Sequence, residues 1–179
     1  MKTVFFDVDT QNDFMLPAGA LYVPGAERII GTVARLNRWA AQHSIPVVST
    51  ADAHAANDPE FKQWPPHCVA GTAGQRKPPE TILGGSGQIL IEKQAQDCFS
   101  NPDLPGVLER LGAERYVVYG VVTEYCVRLA ALGLLKTGAK VEIVTDAIVG
   151  LDAGAAARAL AEIQSAGGTL TTAAEVCGR

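Results

Sequence analysis

Short apolar runs alternate with longer amphipathic stretches along this chain. The run at 4–8 reads as a buried strand, and those at 45–50, 88–92, 116–122 and 141–145 read as four more, with 169–171 as a short last one. Between them the apolar spacing turns helical. Over 26–43, Ile29, Ile30, Val33, Leu36 and Trp39 fall along one side. Helices are also predicted at 104–111, stopped by Gly112, from Thr123 to about Lys136 with Gly138 beyond, and at 152–166. Strands alternating with helices predict an α/β fold: three layers, doubly wound, with a mostly parallel sheet of five to six strands and helices on both faces.

One segment breaks the rhythm. Residues 51–87 show no convincing helix or strand and hold Pro59, Pro65, Pro66, Pro78 and Pro79. A loop this long inside a compact domain is uncommon and often functional. Its mixture of His, Trp and carboxylates is not that of a disordered tract.

The 179 residues suit one domain, 1–179, large enough to bury a core without staples. A content of 47% hydrophobic and 19% charged residues is globular. The net charge of -4, with no basic stripe, argues against a nucleic-acid or anionic-membrane surface. No apolar run reaches membrane-spanning length, and Asp7 and Asp9 interrupt the N-terminal one at once. A cytoplasmic protein is therefore expected. Cys68, Cys98, Cys126 and Cys177 form no CxxC pair and are expected to be free thiols, one of them reactive.

In open α/β sheets, ligands bind beyond the carboxyl ends of the strands. There this sequence puts Asp9 to Phe14, then Asp52 and His54, then Lys93, then Thr123-Glu124-Tyr125-Cys126. Four strands thus deliver an acid, an acid with an imidazole, an amine and a thiol to one edge. Cys126 falls in the first turn of a predicted helix, where free N–H groups would lower the thiol's pKa and hold an oxyanion. A small buried core residue is the plain alternative. Asp9 or Asp7 could take the thiol proton; strand alternation puts both on one face and does not choose. Lys93 could stabilise the ionised acid and thiolate. Asp52, His54, Glu60 and His67 suit a divalent ion such as zinc, iron or manganese. Phe14 and Trp64 could sandwich a flat ring.

Taken together, Asp9-Thr10-Gln11-Asn12-Asp13-Phe14, Asp52-Ala53-His54, Trp64-Pro65-Pro66-His67-Cys68, Lys93 and Gly120 to Val127 resemble the nicotinamidases, which belong to the isochorismatase-like cysteine hydrolases. The resemblance covers nearly the whole chain in order and spacing. It implies a triad of Asp9, Lys93 and Cys126, which selects Asp9 over Asp7. It also implies a cis peptide between Val121 and Val122, and an oxyanion hole from the N–H groups of Val122 and Cys126. Substrate contacts would come from Phe14, Trp64, Val122 and Tyr125. One divalent metal, zinc before iron or manganese, would be held by Asp52, His54 and His67. Glu60 stands where some relatives carry a fourth ligand and others use a His. Relatives often have Ala where this chain has Val122; a backbone N–H donor tolerates the change, and the bulkier side chain could narrow the pocket.

The implied activity is hydrolysis of nicotinamide, and of pyrazinamide, to the acid and ammonia through a Cys thioester, in NAD salvage. The implied partner is a small heteroaromatic amide, and relatives often form homo-oligomers; Leu129, Leu132 and Leu135 suit either core or interface. The alternatives are a sister hydrolase, such as an N-carbamoyl or ureido amidase or an isochorismatase, and a non-catalytic metal-binding module.

Overall fold

The structure is a computed structural model that describes residues 1–85 and 87–178. Strand β1 (Thr3–Val8) leads through the one-turn helix α1 (Asn12–Met15) and a 3-10 turn (Ala26–Ile29) into α2 (Ile30–Gln42). Strands β2 (Val47–Asp52) and β3 (Gln88–Lys93) flank the long loop. Next come α3 (Leu104–Leu111), β4 (Arg115–Val121), a π-helical turn (Thr123–Val127), α4 (Arg128–Leu135), β5 (Lys140–Val149), α5 (Ala153–Ser165), β6 (Thr169–Thr171) and α6 (Ala173–Cys177). The sheet order is β3-β2-β1-β4-β5-β6, with every pairing parallel.

Alternation along β1 builds two cores. Val4, Phe6 and Val8 pack with Leu104, Leu108, Ala130, Leu134 and Ile163 from α3, α4 and α5. Phe5 faces the other way, onto Val33, Leu36 and Ala40 of α2 and Val176 of α6. Each such Phe, Leu or Ile contributes about 1.5–3 kcal/mol when fully buried. Leu132 and Leu135 pack against the first core. Gly112, at φ 56, ends α3 in the left-handed conformation expected of a helix stop.

The differences from expectation are local. Residues 26–29 are a 3-10 turn rather than helix, and Thr123 to Val127 wind as a π turn. Strand β5 runs to Val149, past the predicted end, with an irregular register opposite Val118 and Gly120. Among its described residues, the long loop makes only 3-10 turns at Pro59–Lys62 and Pro79–Thr81 and one isolated bridge, His54 to Val69. All four cysteines are free. No helix among the described residues is long and apolar enough to cross a membrane.

Strand order reverses between β1 and β4, and the crevice beyond their carboxyl ends is where such sheets take ligands. The two strands approach closely there. A Cβ on Gly120, whose φ is +122, would lie 2.0 Å from the carbonyl oxygen of Val8. Only glycine fits that place.

Candidate active site and metal centre

Asp9 leaves the end of β1 at φ 50, so the chain turns off the strand's alternation. This separates it from Asp7. Ser49 and Thr50 are neighbours on β2 and face opposite ways. Ser49 donates to Asp7 at 3.2 Å, while Thr50 donates to Asp9 at 2.6 Å. Asp7 is also bonded by Thr10, Asn37 and Lys77, on the α2 side of the sheet. The alternation argument failed because it assumed that β1 stays extended through Asp9.

Asp9 instead meets Lys93, whose Nζ is 2.8 Å from its Oδ2. The same ammonium is 2.5 Å from Asp52 Oδ1 and donates to Cys126 Sγ at 3.8 Å. The register of β2 and β3 places Asp52 beside Lys93. Two carboxylates, one ammonium and one thiol are thus buried together. Lys93 is not the solvated strand-end lysine that its residue type favours.

Burial pushes the Asp9 carboxyl up, and Asp52 adds to this, while Lys93 pulls it down; the net direction is up. Burial also raises the Cys126 thiol well above its ordinary value, with Asp9 and Asp52 adding to this against the pull of Lys93. The sequence-based expectation of a lowered thiol pKa is therefore wrong for the resting site. A helix end cannot outweigh desolvation and two nearby carboxylates. The thiol rests protonated and needs a base at hand. Burial works against the charge on Lys93, but Asp9, Cys126 and Asp52 keep it firmly protonated.

Behind this group lies a second cluster. Ligand atoms of Asp52, His54 and His67 all lie within 4.8 Å of one another. Asp52 Oδ2 is 3.6 Å from His54 Nε2 and 3.7 Å from His67 Nε2. Tetrahedral ligands at zinc distances stand about 3.4 Å apart, so little movement would seat an ion. Both ring nitrogens of His54 are buried without a hydrogen bond, and Nε2, on the side of Asp52, is thus left to ligate a cation. The far ring nitrogens are held from behind: His67 Nδ1 lies 2.8 Å from the Pro65 carbonyl, and His54 Nδ1 lies 3.1 Å from Asp58 Oδ2. Such outer contacts orient imidazole ligands. The residues present fit a divalent metal.

Burial opposes ionisation of Asp52, but Lys93 and the two imidazoles outweigh it and hold the carboxyl well below its usual range. Asp52 in turn raises His54 to about 9, despite burial and with help from Asp58. Glu60 lines the adjoining pocket but stands outside the tight group of three.

A small pocket, open to solvent at its mouth, adjoins both groups. Phe14, Trp64, Val122 and Tyr125 line it, with Asp9, Cys126, Asp52 and His67 at its polar end. Trp64 meets Tyr125 edge-on at 5.6 Å, and Phe14 packs on His67 at 5.5 Å. No lysine or arginine among the described residues lines it. The Val121–Val122 peptide is cis.

Sequence reasoning missed three supports. Asp58 backs His54. Phe61 sets its ring against both imidazoles, at 5.4 and 5.6 Å. Glu124 accepts the N–H groups of Leu151 and Asp152, each at 2.8 Å, and so pins the Cys126 turn to the start of α5. Only Glu124 left a trace, as an acid in the turn after β4.

Residues 3–175 match the isochorismatase domain family. The chain is 28% identical over 200 residues to the nicotinamidase of Escherichia coli, covering 94% of this chain and 93% of that protein. It is 28% identical over 174 residues to the nicotinamidase/pyrazinamidase of Mycobacterium tuberculosis, covering 89% and 92%. Among solved structures, it superposes with a TM-score of 0.88 on the pyrazinamidase of Pyrococcus horikoshii in complex with zinc. That match is 34% identical and covers 96% of this chain and 99% of that one. A weaker match, 22% identical over 162 residues, is the maleamate amidohydrolase of Pseudomonas putida, covering 82% and 72%.

Proposed function

The chain belongs to the isochorismatase family, and from that premise we propose that it is a nicotinamidase, hydrolysing nicotinamide to nicotinate and ammonia through a thioester on Cys126. One observation carries this reading. A buried thiol, acid and ammonium sit at the foot of an aromatic pocket that is backed by an Asp/His/His ligand set and that no lysine or arginine among the described residues lines. A neutral aromatic amide suits such walls. A carboxylate-bearing amide such as maleamate would face Asp9, Asp52 and Glu60, with only the divalent cation and no lysine or arginine among the described lining residues to receive it.

In this mechanism Phe14 and Trp64 flank the ring. Asp9 takes the proton of Cys126, and the thiolate forms a bond to the carboxamide carbon. The N–H groups of Val122 and Cys126 receive the oxyanion. Asp9 returns the proton to the nitrogen as the C–N bond breaks, and ammonia leaves. Asp9 then deprotonates a water that displaces Cys126 from the thioester. Lys93 stays charged throughout and offsets the negative charge on Asp9 and the sulfur. Asp52, His54 and His67 would hold a divalent cation, zinc as in the pyrazinamidase of Pyrococcus horikoshii, which would supply a Lewis-acid anchor for the substrate.

The test is ammonia release by zinc-supplied protein from nicotinamide, pyrazinamide and maleamate. Turnover of the two aromatic amides, with kcat/KM for maleamate at least a hundredfold lower, is expected. Preference for maleamate, or turnover of none of the three, would move the assignment to a sister hydrolase of the family.

A further inference from the structure

Gln11 is fully buried yet does not line the pocket. Its role follows from where β1 stops. The ladder between β1 and β2 ends at Val8 and Thr50, and the Asp9 N–H makes one last bond, to the Thr50 carbonyl at 3.2 Å. There β1 turns away, while β2 continues to Asp52. The backbone of Asp52 is left without a strand on that side, and buried backbone groups must be paired. The Gln11 side chain pairs both. Its Oε1 accepts the Asp52 N–H at 2.7 Å, and its Nε2 donates to the Asp52 carbonyl at 2.8 Å. One side-chain amide thus replaces the missing strand residue. The second Nε2 hydrogen goes to the Gln75 carbonyl at 2.7 Å, on the far limb of the long loop.

Asp52 is the residue whose aim matters most here. Its Oδ1 holds Lys93 and its Oδ2 faces both imidazoles. A carboxylate serving two centres tolerates only about 0.5 Å of misplacement. We propose that Gln11 is a positioning residue for the metal centre, fixing the Asp52 backbone so that one carboxylate serves Lys93 and the cation together. The proposal rests on reading Asp52, His54 and His67 as a metal site, and not on the identity of the substrate.

The test uses the full chain, stripped of metal and titrated with cobalt(II), with visible absorption as the readout. Gln11→Met keeps the volume and removes all three bonds. Gln11→Glu keeps an acceptor for the Asp52 N–H and loses both donors. Both variants should bind cobalt at least about tenfold more weakly than wild type, the usual scale for a lost outer contact, and with altered bands. Gln75→Ala should bind as wild type, because it keeps the carbonyl that Gln11 uses. A merely structural Gln11 would lower the melting temperature and leave affinity and bands unchanged. Folded variants binding within twofold of wild type would overturn the proposal, and so would failure of both variants to fold. A wild type that binds no cobalt would remove the metal site and this inference with it. A wild type that binds cobalt normally but spares nicotinamide would overturn only the substrate reading.

Discussion

At the scale of the residue, the site's chemistry turns on who holds a proton. Lys93 sits between Asp9, Asp52 and Cys126 and keeps its charge, so the mobile proton passes between Asp9 and the sulfur. Asp9→Asn keeps the shape and removes the base, and Asp52 remains to pair Lys93. We expect kcat to fall by about 10²–10⁴ with the fold intact, measured by steady-state ammonia release beside a circular dichroism spectrum. Much of this set was legible in the sequence, because acid, amine and thiol each followed a recognisable strand. The choice between Asp7 and Asp9 was not legible from alternation. It depends on the positive φ at Asp9, and since both candidates are Asp, residue type does not say which one adopts it. The thiol's raised pKa was also hidden, since it comes from burial and from carboxylates that only the fold brings near.

At the scale of the element, β1 and β4 carry the site because the strand order reverses between them. Their β-branched and aromatic runs made both strands plain in the sequence. The π turn after β4 was not, since Thr123 to Val127 has the same composition wound as α or π. Asp58 and Phe61 also escaped, because they lie in an irregular loop whose sequence pattern assigns no face, and the bonds of Gln11 escaped because they reach Asp52 and Gln75, distant in sequence. The closeness of the two strands gives a test. Gly120→Ala would force a Cβ against the Val8 carbonyl at an unfavourable φ. We expect a loss of about 2–4 kcal/mol in denaturant unfolding, well beyond an ordinary surface substitution. A loss under about 1 kcal/mol would mean that β1 and β4 part more easily there than this packing allows.

At the scale of the whole molecule, the fold gathers a loop with almost no secondary structure of its own onto a rigid sheet edge. A cation would then act as a staple as well as a ligand anchor. Its linkage to pH has a definite sign. In metal-free protein, His54 is raised from an ordinary 6.5 to about 9. That contribution to stability is fully present below pH 6.5 and is lost as pH rises through about 9. Zinc at about a hundredfold over its Kd should add about 2.7 kcal/mol and flatten this dependence, because the ion replaces the proton on the ring. Denaturant unfolding at several pH values, with and without zinc, checks both effects; an unchanged pH profile on adding zinc would count against the ligand set.

The central claim is that Cys126 is the nucleophile for an aromatic amide. Ammonia release from nicotinamide by zinc-supplied wild type, beside Cys126→Ala and Cys126→Ser, tests it most directly. Turnover by the wild type and none above background in either variant is the predicted result. Near-full turnover by either variant would contradict the claim.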